Sequence, residues 1–386
     1  MLLFLSAIFL YSSSPFMRTR YNFYVAVIAY AGFYLISRLN GQKWRVTGTY
    51  GWAGLAALSS GMYFFVGAAD RVTTYLSGIV YIFFWAMAAQ YLMDNYDKKR
   101  VLRFGMVNLM LLLVSVIVTI RVLTDYPLAA RAINGRADGI TEADVARYIA
   151  MGCGGFGFIY GCTIFSMALV TVIKAKCRSW KMRTFAISAY VLIFYMIFLA
   201  EFTTALLMAA IVFLICITAG KKRNYIPYLL IAMVALLIWA FSDDVLRFIY
   251  YLAQRLGVSY LEHKMGMLLE ASIRQNSDGL ARAKRYMESI EGILSSPLLG
   301  SGKAGGHSQV LDTFSTIGLF AIPYVAMLVN VFKDFAKRIN KFHIMVFAGT
   351  ILTLATLNPF VDSTIVSISF ILTPIFLYCF VPQNKT

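Results

Sequence analysis

Between Arg282 and Asp312 the chain gathers residue types suited to chemistry on a charged substrate. Arg282 and Arg285 stand one helical turn apart and can act together. A guanidinium is a rigid fork of donors that matches pairs of phosphate oxygens. Two forks suit a phosphate or pyrophosphate, and they also suit a basic face lying on lipid headgroups. Tyr286 follows, then Ser296-Pro297, Gly300-Ser301-Gly302-Lys303 and His307-Ser308. Lys303 would add one more positive charge. His307 sits where an apolar helix should begin, and a helix N-terminus disfavours the imidazolium. A neutral imidazole accepts a proton, which is what a general base must do. An interfacial histidine capping the helix is the plainer alternative. Asp312 lies about a turn and a half deeper, and a carboxylate inside an apolar segment is a functional candidate on that ground. Arg147, at the mouth of another apolar segment, is a second cationic candidate, and Asp362 near Asn358-Pro359 is a lesser one.

Gly300-Ser-Gly302-Lys303 invites comparison with a nucleotide-binding phosphate loop and fails it. That motif needs glycine where Pro297 stands and Ser or Thr where Ala304 stands. The glycines are expected instead to let the backbone turn sharply into the next helix.

The elements that must hold these residues are helical. Leu280, Ala283, Met287, Ile290 and Leu294 recur at helical spacing and predict one apolar face, with Arg282, Arg285, Tyr286 and Ser289 off it. Thr141-Glu-Ala-Asp144 predicts a capping box opening a helix. The surrounding segment 121–147 mixes arginines with Asp and Glu, which suits a self-neutralised surface loop or a second basic wall. Gly157 and Gly161 form a GxxxG, which predicts close helix packing; a ligand groove of bare backbone is the alternative.

The chain of 386 residues is 60% hydrophobic and 14% charged, more apolar than a soluble protein of this size can hide. Repeated apolar runs predict an all-α polytopic membrane protein of about twelve spans, near 2–16, 21–37, 50–69, 74–93, 104–124, 148–173, 184–200, 203–219, 225–241, 308–332, 342–357 and 363–381. Residues 1–241 hold nine spans and the smaller outer segment 121–147; residues 242–307 form a large, helical outer loop; residues 308–386 hold three more spans. Within the large loop, 245–256 is expected to lie along the membrane surface and 258–273 to continue helical. The short basic clusters 38–45, 98–103, 174–183, 221–223 and 333–341 all fall on one side of this arrangement, which makes that side, and both termini, cytoplasmic. The net charge of +17 then reflects topology and membrane lipids as partners, and is no argument for nucleic acid. Five cysteines and three histidines show neither a disulfide framework nor metal-ligand spacing, and no cofactor is expected.

Taken together, Arg282 with Tyr286, Pro297, Gly300-x-Gly302, His307-Ser308 and Gly318 resemble the shared signature of bacterial O-antigen polymerases (Wzy type) and O-antigen ligases. The motifs cover a small part of the chain, while the span pattern resembles that family throughout. The resemblance implies a GT-C-like fold in the bacterial inner membrane, with the large loop and the active site facing the periplasm. It implies a metal-independent glycosyltransferase acting on glycans carried by undecaprenyl pyrophosphate, with Arg282 on the donor pyrophosphate and His307 activating the acceptor hydroxyl. A chain-length regulator and a flippase are the partners it suggests. The polymerase would pass the growing glycan to the non-reducing end of a new lipid-linked repeat unit. The alternatives are a ligase using a lipid A–core acceptor, or a lipid-linked oligosaccharide flippase. Many relatives carry a Ser-Arg pair where this chain has Phe202-Thr203, so Arg147 or Arg285 is expected to take over that arginine's part.

Overall fold

The computed structural model describes residues 1–17, 22–41, 47–133, 140–175, 180–218, 250–252, 254–255, 262, 266, 278–306, 308–360 and 362–381. Among them all regular structure is helical. The expected ninth span, 225–241, lies outside the described residues, and so does most of 242–277 with its two expected helices.

In chain order the helices are α1 (Leu2–Ser13), α2 (Asn22–Leu39), α3 (Gly48–Ser59), α4 (Met62–Phe65), α5 (Val72–Asn95), α6 (Lys98–Asp125), α7 (Ala129–Ala132), α8 (Glu142–Ala150), α9 (Phe156–Lys174), α10 (Trp180–Leu199), α11 (Thr203–Thr218), α12 (Asp278–Ser295), α13 (Gln309–Ile317), α14 (Ile322–Ala336) and α15 (Lys341–Leu357). The last, α16 (Ser363–Phe380), is continuous but takes a π turn over Ile368–Leu372. Pro374 has no N–H to give the preceding turn, which accounts for the irregular winding there.

Six segments are long and apolar enough to cross a membrane: 69–95, 98–125, 156–174, 180–199, 309–336 and 363–380. Four shorter apolar helices accompany them: 2–13, 24–39, 204–218 and 341–357. The outward surface fits lipid contact. On α6, Val107, Met110, Val114 and Ile117 recur at helical spacing and all are exposed.

Three expected spans are interrupted. The run 50–69 breaks at Ser60-Gly61 between α3 and α4. The run 148–173 breaks over 151–155, where Gly152 takes φ +79°. The run 308–332 breaks at Gly318, φ +56°. Hydropathy shows none of these breaks, because glycine and serine interrupt a helix without interrupting an apolar run. The expected pair 184–200 and 203–219 is present as α10 and α11, and the chain reverses at Glu201, φ +61°.

α9 is the centre of the bundle, and every residue from Phe156 to Val172 is buried. A helix that is apolar all round belongs inside. Its GxxxG face meets α16. A Cβ on Gly161 would sit 3.0 Å from the Ile368 side chain and 3.3 Å from the Ile365 Cα, and one on Gly157 would overlap the Asp362 carboxylate. Deeper in, Phe165 meets Phe376 edge-on, so the two helices run parallel.

Polar contacts tie the helix ends in two sets. At one end, Arg338 donates two bonds to the Asp94 carboxylate (2.6 and 2.8 Å), and Asp334 accepts from Thr49 Oγ1 (3.0 Å). Lys98 lies over the Tyr378 ring, and Lys174 Nζ donates to the last carbonyls of α11, at Cys216 (3.2 Å) and Ile217 (2.9 Å). Most of the described short basic clusters belong to this basic end. At the other end, Arg131 approaches Glu201 (3.9 Å), and the Gly154 N–H donates to Thr119 Oγ1 (2.9 Å). The segment 296–308 also lies there, and we call it the loop end.

Candidate active site at the loop end

α12 runs from Asp278 through the arginines and stops at Ser295, one residue before Ser296-Pro297, since the residue before a proline resists helical dihedrals. The loop 296–308 then returns along the helix and feeds α13. Ser308 caps α13, accepting from the Leu311 N–H (3.1 Å).

The break between α13 and α14 leaves backbone carbonyls without helical partners, and within a membrane protein these must be satisfied by the protein itself. The glycine loop does this. The Ser301 N–H donates to the Ser315 carbonyl (2.8 Å), the Gly302 N–H to the Thr316 carbonyl (3.2 Å), and the Leu319 N–H to the Leu298 carbonyl (3.1 Å). Approach this close leaves no room for side chains. A Cβ on Gly300 would overlap the Thr316 carbonyl, one on Gly302 the Val66 carbonyl, and one on Gly318 the Leu298 carbonyl. Gly300 and Gly302 also have positive φ (+86° and +70°). The expectation of a sharply turning loop holds, and its purpose is now visible: it completes a broken helix.

α12 packs in an unexpected way. Met287, Ile290 and Leu294, on the expected apolar face, are 51%, 37% and 75% exposed. The packed face is the small and polar one. Ser289 is buried, and Gly292 lets α13 approach so closely that a Cβ would overlap Ser315 Oγ. Helical periodicity shows which face avoids water, and lipid meets that need as well as protein does.

Asp312 is the hinge pin of this packing. Its carboxylate accepts from Ser289 Oγ (2.6 Å) and from the Ser308 N–H (3.2 Å), and Ser289 Oγ in turn accepts from the Gly305 N–H (2.9 Å). One carboxylate and one hydroxyl thus lock α12, the loop and α13 together. Arg285 is exposed beside this lock, and a Cβ on Gly305 would overlap its backbone carbonyl. Lys303 is exposed on the same loop. Tyr286 donates its hydroxyl to the Leu357 carbonyl at the end of α15 (2.9 Å), so it positions α12. Arg282 belongs to α12, one turn before Tyr286; its side chain and the whole of His307 lie outside the described residues.

Arg147 is held elsewhere. It donates to Tyr126 Oη (2.7 Å) and lies over that ring, on the exposed segment that joins α6 to α9. The Thr141–Asp144 capping box expected before it is present. Two hydrogen bonds from Thr141 hold the Asp144 carboxyl below the usual carboxylate range. The cation that reaches the turn beside Phe202-Thr203 is Arg131, through Glu201. Sequence spacing could not find it, because the partners are far apart in the chain. Phe202 itself is buried against Phe156 and Tyr160.

Among the described residues no cluster of His, Cys, Asp or Glu could hold a metal ion. Compared with models of protein families, with curated proteins and with solved structures, the chain has no match.

Proposed function

We propose that the chain is a membrane glycosyltransferase, an O-antigen or similar surface-polysaccharide polymerase, with its active site on the loop end. The observation that carries the reading is the joint packing of α12, the glycine loop and the start of α13, which gathers Arg285 and Lys303 at one end of a helical bundle. The order and spacing of Arg282, Tyr286, Pro297, Gly300, Gly302, His307 and Gly318 support it. In this reading both termini and the basic end face the cytoplasm, and the loop end faces the periplasm.

The substrate is a glycan on undecaprenyl pyrophosphate. The acceptor hydroxyl oxygen forms a bond to the anomeric carbon, and the bond from that carbon to the pyrophosphate oxygen breaks. His307 takes the hydroxyl proton. Arg282, Arg285 and Lys303 stabilise the charge on the departing pyrophosphate, which is worth most where water is scarce.

Deleting the gene in its host and resolving the surface glycan on a gel tests this. Lipid A–core bearing a single repeat unit is the expected result. Bare core with long lipid-linked polymer left outside would identify a ligase, and bare core with single units trapped inside a flippase. His307→Ala is expected to lower chain lengthening by about 10²–10⁴ at normal expression, the usual worth of a general base. Full activity in that variant would remove His307 from the mechanism.

A further inference from the structure

A cavity of about 240 Å³ opens at the loop end, walled by α1, α5, α9, α16 and the segments at 133 and 149–155. The chemistry of its wall is unusual for a membrane bundle. Eight hydroxyl-bearing side chains line it, Tyr11, Ser12, Ser77, Tyr81 and Ser363 among them, with the carboxylate of Asp362 and, among the described residues, no Lys or Arg. The carboxylate is fixed in place. It accepts from the Thr364 N–H (2.7 Å), and Gly157 of α9 gives it room, since a Cβ there would overlap it.

Such a wall suits a neutral ligand rich in hydroxyls. A phosphate would meet the Asp362 carboxylate and, among the described lining residues, no cation. A sugar ring offers hydroxyls that both donate and accept, and Tyr11, Tyr81 and Phe158 supply apolar ring surface beside them. The volume is below the usual range for drug-sized ligands and fits one ring.

The cavity is joined to the loop by a short tether. The Leu357 carbonyl accepts from Tyr286 of α12, and the Asn358 carbonyl accepts from the Gln309 N–H at the start of α13 (3.2 Å). Asp362 follows four residues later, so its Cα is at most about 14 Å from that of Asn358. The cation-bearing loop and the carboxylate-bearing cavity are neighbours with complementary chemistry.

We propose that this cavity is a monosaccharide subsite, in which Asp362 accepts hydrogen bonds from the hydroxyls of one neutral pyranose. Resting on the polymerase reading, that pyranose is the terminal sugar of the acceptor, held while the donor pyrophosphate lies on the basic loop. Asp362 is then a specificity-determining binding residue.

The test uses the full chain in detergent, with saturation-transfer NMR on methyl pyranosides of glucose, galactose, mannose, rhamnose and N-acetylglucosamine, and with methylamine as a control. Wild type should transfer saturation to at least one glycoside. Asp362→Asn keeps a helix-capping side chain but loses the charge, and should weaken binding at least tenfold. Ser77→Phe fills the cavity and should abolish it. If either fails to match the wild-type elution and melting profile, Tyr81→Phe carries the test, with an expected loss of about fivefold, the worth of one neutral hydrogen bond. Transfer to no glycoside, transfer to methylamine alone, or full binding in a folded variant overturns the proposal. The two readings fail separately. Sugar binding that needs Asp362, with an unchanged surface glycan on gene deletion, would keep the subsite and sink the polymerase. Single-repeat glycan on deletion, with no glycoside bound, would do the reverse.

Discussion

At the scale of single residues, the loop end separates groups engaged in packing, Asp312 and Ser289, from exposed cationic ones, Arg285 and Lys303. Asp312 has the position expected of a functional carboxylate, yet its oxygens are engaged with Ser289 and Ser308. Ser289→Ala should therefore loosen α12 from α13 at a cost of about 1–3 kcal/mol, and lower the apparent melting temperature in detergent. On the proposed reading, Arg285→Ala should weaken use of the lipid-linked donor, which activity titrated against donor would show. Asp144 has its own signature. Its carboxyl is depressed by Thr141, so its contribution is present above the ordinary carboxylate range and is lost only as pH falls through the lowered value. Amide protection at the start of α8, taken relative to the intrinsic exchange rate at each pH, should accordingly be constant at neutral pH and fall only in acid.

At the scale of elements, the interrupted helix and the glycine loop form one unit. Gly300→Ala or Gly318→Ala forces a Cβ onto a backbone carbonyl, and neither clash can be relieved by a rotamer change. Each should cost roughly 2–4 kcal/mol and abolish activity together with the folded loop, while Gly349→Ala, which meets nothing within 4 Å, should be silent. Melting curves for the three variants check this. The glycine-rich turn and the capping box were legible in the sequence, because each is local and depends on residues with special backbone chemistry; the α10–α11 reversal was legible because 184–219 is too long for one helix and has basic clusters at both ends. The packed face of α12 was not legible, because Ser289 and Gly292 carry no apolar signal, and lipid can cover Met287 and Leu294. The cavity was not legible either, since its hydroxyls come from three separated stretches, at 11–14, 74–81 and 363–364, that only the packing of the bundle brings together.

At the scale of the molecule, end-to-end polar contacts agree with the strand of alternating helix directions read from the basic clusters. The Asp94–Arg338 pair joins the ends of α5 and α14 and is mostly withdrawn from solvent. Asp94→Ala removes two hydrogen bonds from a buried guanidinium that keeps its bond to the Asp334 carbonyl, and should cost about 1–3 kcal/mol, read as poor yield and a lowered melting point; Asp94→Asn should fall between that variant and wild type. Cysteine labelling from outside intact cells should modify a residue placed at Lys303 and spare one placed at Arg100. The reverse pattern would invert the proposed orientation.

The docked loop also sets an order of assembly. Gly302 closes against Val66, early in the chain, while Ser301 and Gly302 bind carbonyls that follow them in α13. During synthesis the loop therefore emerges before its partners in α13 exist, and it must wait, undocked, until α13 and α14 have left the ribosome. Its maturation is one of the last events in the birth of the protein. A nascent chain halted before Gly318 would carry Arg285 and Lys303 but not the completed docking of the loop that bears Lys303.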